Sequence, residues 1–254
     1  MFRFLSQWKT YLSGHLWERF TESVRRTPLF YIILVLCFLT FNSFAELASE
    51  VMEGDSKDID RFILLLMRNA DDVSDPIGPR WLEEMIRDLT ALGGISVLTL
   101  ITLASAGYLL ALKRKGQALY LLLSVGTGIV FSNLLKIGFD RPRPDLVPHD
   151  SYVAMGSFPS GHSLMAAITY LTLGALLAES HPQHRMRVYI LGLAIGITIL
   201  VGISRVYLGV HWPSDVVAGW LAGSAWAMMT WLVWIKGSWI KTRIFRRKQG
   251  ENGP

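Results

Sequence analysis

Lys136-Ile137-Gly138-Phe139-Asp140-Arg141-Pro142-Arg143-Pro144 follows directly on the apolar run Ala118–Leu135, and the boundary between them decides the fold. The run is about the length a helix needs to cross the hydrocarbon layer of a bilayer. Ionisable side chains are expensive at that depth, so Lys136 marks the point where the chain leaves the membrane.

Working outward, five further blocks of similar character are legible: Leu29 to about Ala45, Gly93–Leu112, Ser163–Ala178, Val188–Ile203 and Val216–Ile235. The expected fold is all-α, a bundle of six transmembrane helices spanning residues 29–235. The first block has too long a preceding region for a cleaved signal, and more spans follow, so it reads as retained. Composition agrees: 51% of residues are hydrophobic and 18% charged. The single cysteine, Cys37, lies in the first block, which excludes an internal disulfide and any cysteine-based metal site.

Lysine and arginine positions give the orientation. Residues 1–28, the turns at 113–117 and 179–187, and the tail 236–254 hold 16 of the 25 basic residues. Both termini are therefore expected in the cytoplasm, with the Lys136 stretch facing outside. Topology accounts for the net charge of +5, so no nucleic-acid partner is needed. Within 1–28, Phe4, Leu5, Trp8, Leu12, Leu16, Phe20 and Val24 recur close to a helical period among arginines, which predicts an amphipathic interfacial helix. Residues 46–92 form the long external segment and hold 12 of the 20 acidic residues. Ile59, Phe62, Ile63 and Leu66, then Trp81, Met85, Ile86 and Leu89, predict two short amphipathic helices around a Pro76-Ile-Gly-Pro79 break. Gly192-x-x-x-Gly196 and Gly219-x-x-x-Gly223 permit close helix approach.

Two later stretches fall at the same membrane face as Lys136–Pro144. Pro159-Ser160-Gly161-His162 leads into the fourth span, and Ser204-Arg205 through His211-Trp212-Pro213-Ser214-Asp215 links the fifth to the sixth. Together the three supply cations at Lys136, Arg143 and Arg205, of which guanidinium groups match phosphate oxygens bidentately. Taken singly, each cation reads equally well as a side chain snorkelling to the headgroups. Ser160 is a good N-cap, and Gly161 leaves backbone N–H groups open to an anion at a helix start. His211 and Asp215 are four apart, with Pro213 suited to a first helical turn between them. That spacing lets the carboxylate fix the imidazole tautomer and leave the other ring nitrogen free to attack phosphorus. His162 is placed to donate a proton. A zinc held by His162, His211 and Asp215 is the competing arrangement, and it conflicts with three cations in one pocket.

Lys-x6-Arg-Pro, Pro-Ser-Gly-His and Ser-Arg-x5-His-x3-Asp, in that order over residues 136–215, resemble the type 2 phosphatidic acid phosphatase (lipid phosphate phosphatase) superfamily. The resemblance implies that His211 is the nucleophile, forming a phosphohistidine with Asp215 orienting it. It implies that His162 is the general acid and then the base that activates water. Lys136, Arg143, Arg205, Ser160 and Gly161 would hold the phosphoryl oxygens, with no metal or other cofactor. The expected partner is a lipid phosphate or pyrophosphate at the outer face of a bacterial inner membrane. Undecaprenyl pyrophosphate, phosphatidylglycerophosphate and phosphatidic acid are all open, and an outward-facing site leans toward the first, as carrier recycling. A phosphotransferase with the same residues and a non-catalytic lipid-binding protein are the alternatives. Retention of both His211 and Asp215 argues against the second of these.

Overall fold

The computed structural model describes residues 27–146 and 156–250, with side chains up to residue 237. The interfacial helix expected in residues 1–28 therefore lies outside the described residues apart from its last two. Among the described residues eight helices follow one another: α1 (Pro28–Glu53), α2 (Lys57–Leu65), α3 (Arg80–Ala91), α4 (Ile95–Ala111), α5 (Lys115–Gly138), α6 (Gly161–Glu179), α7 (His184–Tyr207) and α8 (Pro213–Gly250). The described residues contain no strand, only an isolated bridge between Arg68 and Pro76.

Five of these helices, α1, α5, α6, α7 and α8, are long and apolar enough to cross a membrane. A sixth crossing results if α3 and α4 count as one element, bent by 50°. α1 runs eight residues beyond Ala45, where the sequence reading ended its span. The cause is a helical stripe that persists, with Phe44, Ala48 and Val51 all turned inward. Gly54 then stops the helix in a left-handed conformation (φ 91°), its N–H bonded to the Glu50 carbonyl at 3.0 Å. The two short helices expected between the first two spans appear on either side of the Pro76–Pro79 break.

α6 is the axis of the bundle. Its Leu164, Ala166, Ala167 and Ile168 are wholly inaccessible, as befits a helix apolar on all sides and enclosed by α5, α7 and α8. α8 lies close against it because Gly219 and Gly223 lack side chains: a Cβ at Gly219 would stand 2.7 Å from the Ser160 carbonyl, and one at Gly223 2.7 Å from Ala167 Cβ. Gly192 and Gly196 behave differently, with open space beside both, so that pair makes no close helix contact among the described residues. The perimeter is apolar, with Phe38, Leu100, Ile137 and Val233 each about two-thirds exposed or more. A surface of that kind faces lipid. The chain is a multi-pass membrane protein.

Candidate active site

All three motif stretches arrive at one end of the bundle. Lys136 sits in the last turn of α5, and Arg143 in the segment that follows. Gly161 and His162 open α6, Arg205 lies in the last turn of α7, and His211 occupies the turn before α8. Asp215 lies in the first turn of α8, whose first residue is Pro213.

The local sequence explains each placement. Asp215 sits three residues past Trp212 and accepts the Trp212 backbone N–H at 3.0 Å, the reach-back of a helix N-cap box. The same carboxylate oxygen meets His211 Nδ1 at 3.3 Å, one helical turn away. Asp215 thus caps the helix and holds the imidazole at once. The other ring nitrogen, Nε2, lies 3.2 Å from Arg143 Nη1, which also donates to the Val210 carbonyl at 2.9 Å. Two opposed partners leave His211 one rotamer. They also suit a single tautomer, with Nδ1–H donating to Asp215 and Nε2 accepting.

His211 is 2% exposed, and its ring pKa is pushed from 6.5 down to about 4. Burial is the main cause, and Arg143 and Arg205 add to it against the opposing pull of Asp215. At neutral pH the ring is unprotonated, the state a nucleophile requires.

Lys136 reaches the start of α6: a Cβ built on Gly161 would stand 3.1 Å from its Nζ. Glycine here leaves the ammonium and the first-turn N–H groups, which no preceding carbonyl can satisfy, open to the same space. Arg205 is anchored by Thr90 of α3, its Nη1 3.1 Å from Oγ1. The Nε atoms of Arg143 and Arg205 are buried and, among the described residues, have no hydrogen-bond partner. Such donors await an acceptor. His162 lines one cavity with Lys136 and Gly161, and its ring is close enough to Arg205, His211, Lys136 and Arg143 to feel their charge.

Ser160 is placed differently from the other motif residues. Its hydroxyl accepts from the Ser163 backbone at 3.5 Å and pairs with Ser163 Oγ at 3.0 Å, and the residue is fully buried. It caps α6, and its own N–H donates to the Asp215 carbonyl at 2.9 Å, which ties α6 to α8.

Four residues of the site escaped the sequence reading. Arg141 donates to Asp215 Oδ1 at 2.6 Å and Ser214 Oγ at 2.7 Å. Its other terminal nitrogen donates to Asp60 Oδ2 at 2.7 Å. Asp60, on α2, also accepts the Ser214 backbone N–H at 2.8 Å and the Ser214 hydroxyl at 2.5 Å. Ser157 donates to the remaining Asp215 oxygen. Arg141 lies inside the stretch that opened the reading, two residues before Arg143, and that adjacency was the available signal.

Below Lys136, Gly161 and His162 a cavity of about 200 Å³ runs between α4, α5 and α6, walled by Leu98, Val125, Ile129 and Met165. The site therefore joins a cationic end to an apolar one.

The PAP2 superfamily profile matches residues 117–239, which include every motif residue above. Phosphatidylglycerophosphatase B of Bacillus subtilis is 39% identical over 174 residues, covering 66% of this chain and 80% of that one. This chain belongs to the PAP2 superfamily. Lipid A 1-phosphatase of Rhizobium etli is another relative of this PAP2 chain, 31% identical over 63% of it and 77% of the relative. In three dimensions the PAP2 chain is similar to the crystal structure of a transmembrane PAP2 type phosphatidylglycerolphosphate phosphatase from Bacillus subtilis. The TM-score is 0.64 at 29% identity, over 76% of this chain and 93% of that one.

Proposed function

We propose that this chain is an integral-membrane, metal-independent lipid phosphatase acting through a phosphohistidine on His211. The observation that carries the reading is the gathering of three cations and two histidines at one end of a bundle, beside an apolar cavity. A substrate with a phosphate head and hydrocarbon tails matches both parts.

Lys136, Arg143, Arg205 and the first-turn amides of α6 hold the phosphoryl oxygens. His211 Nε2 attacks phosphorus, so an N–P bond forms as the P–O bond to the lipid breaks. His162 gives its proton to the departing oxygen. It then takes one from water, whose oxygen attacks phosphorus and frees His211. Charge that builds on the oxygens in each transition state meets cations already in place. Asp215 keeps Nδ1 protonated and stabilises the positive ring of the intermediate.

The bundle crosses the membrane six times, with α4, which α3 meets at a 50° bend, as the second crossing. Residues 29–235 are the catalytic unit, flanked by an interfacial segment at 1–28 and a basic tail at 236–254. The distribution of Lys and Arg supports cytoplasmic termini and a site on the outer face of the inner membrane.

For the substrate we favour a glycerophospholipid phosphomonoester of the phosphatidylglycerophosphate type over the polyprenyl pyrophosphate toward which the sequence leaned. Support comes from the extent of the likeness to phosphatidylglycerophosphatase B, which this chain matches over 80% of its length. The test is phosphate release by detergent-purified protein with EDTA, comparing phosphatidylglycerophosphate, phosphatidic acid and undecaprenyl pyrophosphate. The reading expects kcat/KM highest on the first and no release by His211→Ala. Preference for undecaprenyl pyrophosphate overturns the substrate assignment, and release by His211→Ala overturns the nucleophile.

A further inference from the structure

The cavity beside the site is graded along α5. Lys136, Asn133, Ser132, Ile129 and Val125 all line it, at spacings of three and four that put them on one face of the helix. At helical rise Ser132 and Asn133 lie about 5 Å from Lys136, Ile129 about 10 Å and Val125 about 16 Å. Charge therefore gives way first to neutral polar groups and only then to hydrocarbon. Across the cavity, α4 presents Thr99 beside the apolar Ile95 and Leu98.

The polar step is not used by the fold. Elsewhere in the spans, Thr40, Thr127, Thr198 and Thr230 return their hydroxyls to carbonyls of their own helix, and the Asn42 amide does the same. Among the described residues, the side chains of Thr99, Ser132 and Asn133 have no hydrogen-bond partner. Ser132 is 5% exposed, and the space beside it is the cavity. A Cβ on Gly161 would stand 4.0 Å from Ser132 Oγ and 3.1 Å from Lys136 Nζ, so the hydroxyl borders the space proposed for the phosphate. Asn133 is exposed within an apolar span, where an amide is costly until a partner satisfies it.

We propose that Ser132, Asn133 and Thr99 form a subsite for the glycerol linker of the lipid substrate, an inference that rests on the phosphatase reading above. With the scissile phosphate at Lys136, oxygens borne by the adjoining glycerol accept hydrogen bonds from the Ser132 and Thr99 hydroxyls and the Asn133 amide. The chains continue along Ile129, Val125 and Leu98. A polyprenyl or plain alkyl phosphate places carbon at that step and leaves two hydroxyls and an amide unpaired. The subsite selects a glycerolipid phosphomonoester by what joins its phosphate to its tails.

The test is phosphate release in nonionic micelles with EDTA, comparing dioleoyl phosphatidic acid with oleyl monophosphate. The two share the scissile group and the chain, and only the first carries the glycerol with its ester oxygens. Wild-type kcat/KM should be at least about tenfold higher on phosphatidic acid. Asn133→Leu should lower it about tenfold on phosphatidic acid and less than twofold on oleyl phosphate, and Thr99→Val about threefold with the same selectivity. Neither substitution strands a partner, and turnover of oleyl phosphate reports that each variant is folded. Equal wild-type kcat/KM on the two substrates, equal loss on both in Asn133→Leu, or no loss on phosphatidic acid overturns the subsite and leaves the phosphatase reading standing. No release from either substrate by wild type, or release that survives His211→Ala, overturns that reading and the subsite with it.

Discussion

Asp60 and Arg141 are 81 residues apart in sequence and 2.7 Å apart in space, forming an ion pair in which Asp60 is 2% exposed. Arg141 continues the connection to Asp215 at 2.6 Å. A carboxylate on the short helix α2 is thereby joined, through one guanidinium, to the carboxylate that holds His211. The arrangement keeps Asp215 from turning away and leaves its second oxygen for the imidazole, the Trp212 amide and the Ser157 hydroxyl. A bridge of this kind needs the planar fork of arginine.

Asp60 is accordingly a positioning residue. Asp60→Asn keeps an acceptor for Ser214 but removes half of the charge pairing around Arg141. We expect kcat to fall about tenfold, equivalent to about 1.4 kcal/mol, with KM changed less than twofold. Arg141→Lys should lose more, because one ammonium cannot span both carboxylates. Steady-state kinetics with thermal unfolding measured alongside checks this. Asp60→Ala should also destabilise the fold by about 3–5 kcal/mol, the usual consequence of stranding one partner of a buried pair.

The cations proposed to hold the phosphate separate by their anchoring. Arg143→Lys loses both the fork and the contact to His211, and kcat/KM should fall about 100- to 1,000-fold. Thr90→Val removes the hydroxyl that steadies Arg205 and should cost about threefold to tenfold in kcat/KM. A Thr90→Val enzyme as impaired as Arg205→Lys would show that Thr90 does more than orient the guanidinium.

His211 gives a pH signature. In the unfolded chain a histidine takes up its proton near 6.5, and in the fold this ring does so near 4, chiefly because it is buried. Stability from the neutral ring is therefore complete above about 6.5 and is lost as the pH falls toward 4. Histidine ring signals in NMR, assigned by loss in His211→Asn, should show one imidazole still neutral at pH 5. Asp215→Asn removes the group that favours the charged ring, so titration should move lower still.

The apolar cavity under the site predicts discrimination by tail. Val125→Phe and Ile129→Trp reduce its volume without touching the motif residues. The KM for a long-chain lipid phosphate should rise about tenfold, while hydrolysis of a soluble short-chain analogue stays within twofold. Equal loss on both substrates would separate the cavity from tail binding.

Much of this was legible in the sequence, for identifiable reasons. Hydropathy marks spans because lipid leaves the backbone no partner but itself, and the spacing from His211 to Asp215 is one helical turn in any protein. Asp60 was not legible. On α2 the usual rule is reversed: Ile59 and Phe62 are about two-thirds exposed, while Asp60 points inward. An amphipathic helix at a membrane surface can turn its apolar side outward, and a period of 3.6 does not say which side faces the core. Arg141 shares its stretch with Arg143, and only the fold shows that one guanidinium pairs with carboxylates while the other faces the imidazole. The length of α1 was missed because Glu46 and Glu50 interrupt its hydropathy without interrupting its helix.

The central claim is a covalent bond between His211 and the phosphoryl group, and trapping tests it most directly. Enzyme mixed with a lipid substrate radiolabelled in its terminal phosphate, in EDTA, would be denatured in alkali within the first turnovers. The account predicts label on the protein that survives alkali, is released by mild acid, and is absent from His211→Ala. Turnover that continues with no trapped label, or label that persists in His211→Ala, would contradict it.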